Sequence, residues 1–273
     1  MTSLSASYLD TSNGDWCHCL VSSYAFLRHS WRTDWIGLPQ LIKYCSEYLK
    51  LAASGEGEEV RSLLTVALGI ASQIESEKGC GMDTPEPSYH NRLHFADALT
   101  TITLQCGLEV QNGIEPNPAW QAALLLIALS HDFRHSGHVN RHSSEIEYAS
   151  VNHLVPIMKS MKLDDAWIGR ICDVILRSDF SLVKENHSRV NGRAFQWDTE
   201  WAAVLLNEAD IMASASDEFG PALSNSLSTE WEAINFAPYA TVATESGRRQ
   251  FLSTIQFSSY SGKVLSAGIM ESI

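Results

Sequence analysis

The sequence predicts an all-α fold, and three observations carry that reading. Apolar residues recur at threes and fours through most of the chain, as one buried face of a helix demands. The longest apolar run, Ala119–Ser130, follows a proline, Pro118, that suits the first turn of a helix because its missing N–H costs nothing there. Alternating patterns long enough for strands are scarce.

Taken in order, residues 1–35 are rich in Ser and aromatics and read as an N-terminal arm or short helices. Their Trp16, Trp31 and Trp35 could cover an interface, which allows a homodimer. The remainder, 36–273, reads as one domain. Ser54–Gly57 breaks two early helices, and the second carries Leu63, Leu64, Ala67, Ile70, Ala71 and Ile74 on one face. Gly79–Ser88 is a turn-rich loop leading to His90, and Pro118 opens the apolar helix. Further stripes run through Ile146–Met161, Ala166–Leu176, Thr199–Ala213 and Phe219–Ile234, which predicts ten or more helices in all. The expected architecture is a compact multi-helix bundle.

At 273 residues, 45% apolar and 19% charged, the chain can bury a substantial core. A net charge of −13 argues against nucleic acid as a partner. It leaves room for a small anionic substrate, because metal ions supply positive charge inside a pocket. Six cysteines follow no framework; Cys17-His18-Cys19 resembles half of a zinc site without its second half, and reduced thiols are the plainer expectation. The start of the sequence lacks a secretory pattern and no apolar run spans a bilayer, so a cytoplasmic protein without membrane contact is expected.

The chemistry concentrates at helix edges. His131 and Asp132 stand directly after the Ala119–Ser130 run, an unusual ending for a buried helix. One histidine on an apolar face is most often a satisfied core residue, and one aspartate near a helix end is most often a cap. Here, however, Tyr89-His90-Asn91-Arg92-Leu93-His94 lies upstream and Ala209-Asp210 closes another apolar stretch downstream. His94, His131, Asp132 and Asp210 form a mixed N/O set suited to a hydrolytic divalent metal. His90 and His94, four apart, are expected on one helical face, and His131 and His135 share that spacing.

These segments resemble a family. Tyr89–Asp97 is similar to the YHNxxHAxD signature of the class I cyclic-nucleotide phosphodiesterases, which belong to the HD-domain metal hydrolases. His131–Asn140 resembles their HDxxHPGxxN, Ser144–Glu147 their SxLE, Val174–Asp179 their ILxTD, and Glu208–Asp210 their later Asp motif, all in the family's order. The resemblance implies an HD/phosphodiesterase-like fold in which His94, His131, Asp132 and Asp210 bind a first metal, with Asp132 bridging to a second held largely by water. It implies hydrolysis of a small phosphodiester, foremost a 3′,5′-cyclic nucleotide, by a metal-bridging hydroxide with His90 as general acid. Glu147, His135 and Asp179 would support that network. The ligand types suit Zn, Fe or Mn at the tight site and Mg or Mn at the water-rich one.

Departures leave the substrate open. Arg134 stands where the family has Asp, Ser136 where it has Pro and Phe95 where it has Ala; Tyr148-Ala149-Ser150 replaces NHH. The family's purine-binding Gln and stacking Phe have no clear counterpart; Gln256 and Phe257 are the candidates, beside Gln250-Phe251, and a helix with an exposed Gln and a buried Phe is the simpler account. Arg248 and Arg249 could meet phosphate or stay solvated. A broader HD-type hydrolase of nucleotides or phosphomonoesters, an HD-type di-iron oxygenase, and a metal-keeping sensor or binding domain are the rival expectations.

Overall fold

The computed structural model describes residues 8–51, 57–77 and 86–270. The described residues form thirteen α-helices, one 3-10 turn at Phe180–Leu182 and no strand, so the chain is all-α. In order the helices are α1 (Trp16–Thr33), α2 (Leu38–Tyr48), α3 (Glu58–Glu77), α4 (Arg92–Gln111) and α5 (Pro118–Ser130). Then come α6 (Glu145–Ser160), α7 (Asp165–Leu176), α8 (Val183–Val190), α9 (Thr199–Ala215) and α10 (Gly220–Ala233). The chain finishes with α11 (Tyr239–Val242), α12 (Glu245–Thr254) and α13 (Tyr260–Ala267). The Gly79–Ser88 and Ser54–Gly57 breaks fall largely outside the described residues.

Two helices lack a polar face because neighbours surround them. Every residue of α5 from Trp120 to Ser130 is buried, and α4 is buried almost continuously from His94 to Cys106. Helices α1, α2, α5, α9 and α13 all pack against α4, while α3 covers α5. Burying α4 also buries Thr100, Thr101 and Thr103. Their hydroxyls donate back to the carbonyls of Ala96, Asp97 and Leu99 at 2.7, 2.9 and 2.7 Å, so none is left unpaired. Pro118 opens α5 as the sequence predicts, with Asn117 accepting from Trp120 N at 3.2 Å as its cap.

The N-terminal region, expected as an arm or short helices, is largely helical among the described residues. From Trp16 to Thr33 it is a single helix laid along α4, with Leu20, Tyr24 and Leu27 fully buried in the same apolar cluster as α5. Arg28 reaches across to Asp97 of α4 with two bonds of 2.9 Å, and its guanidinium lies 4.4 Å over the Phe219 ring. The apolar cluster that holds α1 is continuous with that of α2 to α5. Trp31 and Trp35, both half-buried, pack against each other edge to face at 4.9 Å. The Arg28→Ala protein should lose about 3 kcal/mol of unfolding free energy, because the buried Asp97 carboxylate is left without its counter-charge. Urea denaturation measures this, and a change below about 1 kcal/mol would contradict it.

Candidate metal centre

The turn after α5 and the start of α4 bring the ligand candidates together. Asn91 caps α4, accepting from Leu93 N at 2.9 Å and His94 N at 3.2 Å, which sets His94 in the first turn. Helix α5 ends at Ser130, and its apolar burial carries His131 into the core at 1% exposure. Asp210 projects from the C-terminal half of α9, which packs along α4.

Their donor atoms crowd one point. His94 Nε2 lies 3.1 Å from Asp210 Oδ1, 3.2 Å from His131 Nε2 and 3.3 Å from Asp132 Oδ2. His131 Nε2 lies 3.3 Å from Asp132 Oδ2 and 3.4 Å from Asp210 Oδ1. Four donors at about 2.0–2.1 Å from a common centre, in tetrahedral array, would stand roughly 3.3–3.4 Å apart. These edges therefore fit one divalent cation. His131 Nδ1–H donates to the Ala128 carbonyl at 2.9 Å, which leaves the Nε2 lone pair free to ligate. The side chains of Asp132 and Asp210 keep 13% and 28% of their surface exposed, against 4% or less for the imidazoles, so the carboxylates form the open wall.

Electrostatics point the same way. Burial opposes charge on His94, but Asp132 and Asp210 outweigh it and push the imidazole up to about 9; His131 is raised likewise. Burial alone would raise both carboxyls, yet the two imidazoles hold them well below the usual carboxylate range. Two negative charges that favour protons on the neighbouring imidazoles so strongly also favour a divalent ion in their place.

His90 stands beside this cluster but not on α4. Since the helix starts at Arg92, the expected shared helical face does not exist; a bend at 88–91 aims His90 at the cluster instead. Its Nε2 is 3.9 Å from Asp132 Oδ2, and its Nδ1 is 2.5 Å from Glu230 Oε1. Glu230 Oε2 also accepts from Tyr89 N and His90 N at 2.8 and 3.1 Å. Burial pushes the Glu230 carboxyl up, but His90 and those amides bring it down to about 2, so it is an anion at neutral pH. Sequence reasoning missed Glu230: it lies 140 positions from His90 on α10, with no motif around it. Gly137, at φ +74°, lets the chain pass that carboxylate, since a Cβ there would meet Glu230 Cγ at 3.2 Å.

His135 stacks on His90, centroids 3.8 Å apart and planes 24° from parallel. Burial and the neighbouring His90 push it down to about 3, so it is a neutral wall; its Nδ1 accepts from Gly137 N at 3.0 Å. His90, His135 and Glu230 also bring metal-type donors together. Stacked imidazoles aim their in-plane lone pairs poorly at one ion, and here Glu230 is hydrogen-bonded to His90 while His135 only stacks on it. Arg134, at φ +60° between Asp132 and His135, clamps the turn to α3 by donating to Glu77 at 2.8 and 2.6 Å.

The remaining candidates fall outside the ligand cluster. Glu147 accepts from Asn140 Nδ2 at 2.9 Å, and burial, only partly offset by that bond, pushes its carboxyl up to about 7. Asp179 accepts from Ser144 N at 2.6 Å and Ser143 Oγ at 3.1 Å, so it fastens the start of α6. Gln256 is exposed and donates to Ser258 Oγ at 3.3 Å, and Phe257 packs on the core; no described hydrogen bond or ring contact joins either to the metal cluster. The polar loop after them is held by buried Glu208, which accepts from Ser258 N and Ser259 N at 2.6 and 2.9 Å, and by Glu109, which accepts from Ser261 N at 2.9 Å. Arg248 donates to the Ser214 and Ser216 carbonyls at 2.8 and 2.6 Å, capping α9, and Arg249 pairs with exposed Glu245. Cys17 and Cys19 build no zinc half-site among the described residues: Cys17 faces Val264, and burial pushes the Cys19 thiol up to about 11.

Glu147 supplies a pH signature. Its folded value lies above its unfolded one, so the stability it contributes is full below about pH 4 and is lost as pH climbs through 7. With divalent ions chelated, Glu147→Gln should gain on the wild type as pH rises from 4.5 to about 7, and the difference should hold level above that. Melting temperatures across that range test this; a pH-independent difference contradicts it.

No protein-family model matches the chain, and no curated protein matches it. Fold and site together define an all-α protein with a His/Asp cluster that could hold a metal ion. Among the described residues, no helix is long and apolar enough to cross a membrane.

Proposed function

We propose that the protein is a metal-dependent phosphodiesterase acting on small phosphodiesters, foremost 3′,5′-cyclic nucleotides. The observation that carries this reading is His90: an imidazole outside the ligand set, Nε2 toward the cluster and Nδ1 on an anionic Glu230 at 2.5 Å. An alkoxide leaving group needs a proton, and a histidine oriented by a carboxylate beside the reacting centre is suited to deliver it. His94, His131, Asp132 and Asp210 would hold the tight ion (Zn, Fe or Mn), and Asp132, nearest His90, would face a second (Mg or Mn). Divalent ions held there would offset phosphate charge and bring the pKa of water toward neutrality. The chain's part is to place the diester between the cluster and His90, donate from Nε2 to the leaving oxygen, and keep the imidazole aligned through Glu230 and His135.

The resemblance of Tyr89–Asp97, His131–Asn140 and Glu208–Asp210 to the class I cyclic-nucleotide phosphodiesterases supports the same reading. A broader HD-type hydrolase of nucleotides or phosphomonoesters is the second reading, favoured by the exposed Gln256 that offers no purine clamp at the site. Hydrolysis of cyclic AMP, cyclic GMP, bis(p-nitrophenyl) phosphate and monoesters, with Mn, Mg and Zn in turn, decides between them. Diester turnover without monoester turnover is expected. Monoester turnover alone would transfer support to the second reading, and no turnover at all would sink both.

A further inference from the structure

Helix α12 buries none of its residues and packs on α11, yet it sends one cation inward. The Arg248 side chain keeps 14% of its surface exposed, against 68% for its neighbour Arg249. Its guanidinium donates to the carbonyls of Ser214, Ala215 and Ser216 at 2.8, 3.3 and 2.6 Å. A helix leaves its last carbonyls without internal partners, and these three belong to the end of α9 and its cap residue. A positive charge also suits the negative pole of that helix. Gly220 makes the room: a Cβ there would collide with the guanidinium and with the Ser214 carbonyl oxygen.

The turn so held is the one that serves the metal centre. Ser214 stands one turn beyond Asp210 on α9, and its Oγ lies 2.8 Å from the Tyr89 hydroxyl. The Tyr89 ring in turn packs 5.0 Å from that of His94. Asp210 is the most exposed of the four ligand candidates, so the path of α9, more than side-chain packing, decides where its carboxylate stands. We propose that Arg248 is a positioning residue of the metal centre: by binding the end of α9 it fixes Asp210 and Tyr89 together, and it couples the outer helix α12 to the ligand geometry. This role rests on the metal-binding part of the functional reading and is independent of the phosphodiester.

Cobalt(II) is the probe ion, because its visible absorption reports coordination geometry. Arg248→Ala, Arg248→Lys and, as the control, Arg249→Ala are titrated with cobalt against a chelator of known affinity, with far-UV circular dichroism confirming the fold of each. Arg248→Ala should raise the cobalt Kd about tenfold and alter the absorption envelope. Arg248→Lys should recover part of both, since it brings one nitrogen where the guanidinium brings two, and Arg249→Ala should behave as wild type. A helix cap with no part in the centre would lower the melting temperature and leave Kd and spectrum unchanged, and that result overturns the proposal. Coupling is reciprocal, so a second measurement needs no variant. Cobalt should slow amide hydrogen exchange across Glu245–Thr254 of the wild type by about threefold or more, and exchange there that ignores the metal also overturns the role. Wild-type protein that takes up no cobalt removes the metal centre and this role together. Wild-type protein that shows these effects yet hydrolyses no diester keeps the role and removes only the phosphodiesterase reading.

Discussion

Asp132→Ala protein is expected to retain no tightly bound divalent metal after dialysis, and to lose phosphodiester turnover by about 10³-fold or more. Asp132, like Asp210, approaches both His94 and His131, at 3.3 Å each, and it also lies 3.9 Å from His90. Removing it leaves two buried imidazoles and one partly exposed aspartate, a set with half the negative charge of the original. Elemental analysis of the purified variant beside the wild type is the measurement. Stoichiometric metal in Asp132→Ala would mean that the four donors, close as they are, do not act as one site. Acidification gives a second check, since protons compete for the same donors and should release the ion from wild-type protein.

His90→Ala separates chemistry from metal binding. The variant should keep its metal, because His90 is outside the tetrahedral set, while kcat on cyclic AMP falls about 10²–10³-fold. The loss should be far smaller on bis(p-nitrophenyl) phosphate, whose phenolate leaves without needing a proton. Glu230→Gln should show the same leaving-group dependence with a smaller loss, since the imidazole remains but its alignment at Nδ1 is weakened. Equal losses on both substrates would remove His90 from the role of general acid, and full activity on cyclic nucleotides would sink the mechanism altogether.

What the sequence could reveal was whatever is written locally. Periodicity placed α3, α6, α7, α9 and α10 because one face of each is apolar, and Pro118 marked the first residue of α5. The ligand set was legible because His131, Asp132 and Asp210 interrupt runs that burial keeps apolar. The His90 geometry was not, because Asn91 caps the start of α4 and leaves His90 outside the helix that the four-residue spacing invites; only the fold restores the convergence. Glu230 had no local signal: one acid on a mixed helix reads as a solvated charge until α10 is packed on α9. Nor could the polar loop after Phe257 be read as buried, since its amides are satisfied by Glu208 and Glu109, distant acids that composition alone would place on the surface.

The packing of α1 has a consequence in time as well as in space. Its Cys17 thiol donates to the Val264 carbonyl at 3.3 Å, across 247 positions, and a Cβ at Gly268 would collide with that sulfur. Helix α1 thus finds its final partner only when α13 has been made. Until then the surfaces of Leu20, Tyr24 and Leu27 must wait for α4, and the groove beneath Cys17 stays open longer still. Contacts of such separation slow folding and expose nascent chains to aggregation. For this protein, the vulnerable interval is the time needed to make the 247 positions between Cys17 and Val264.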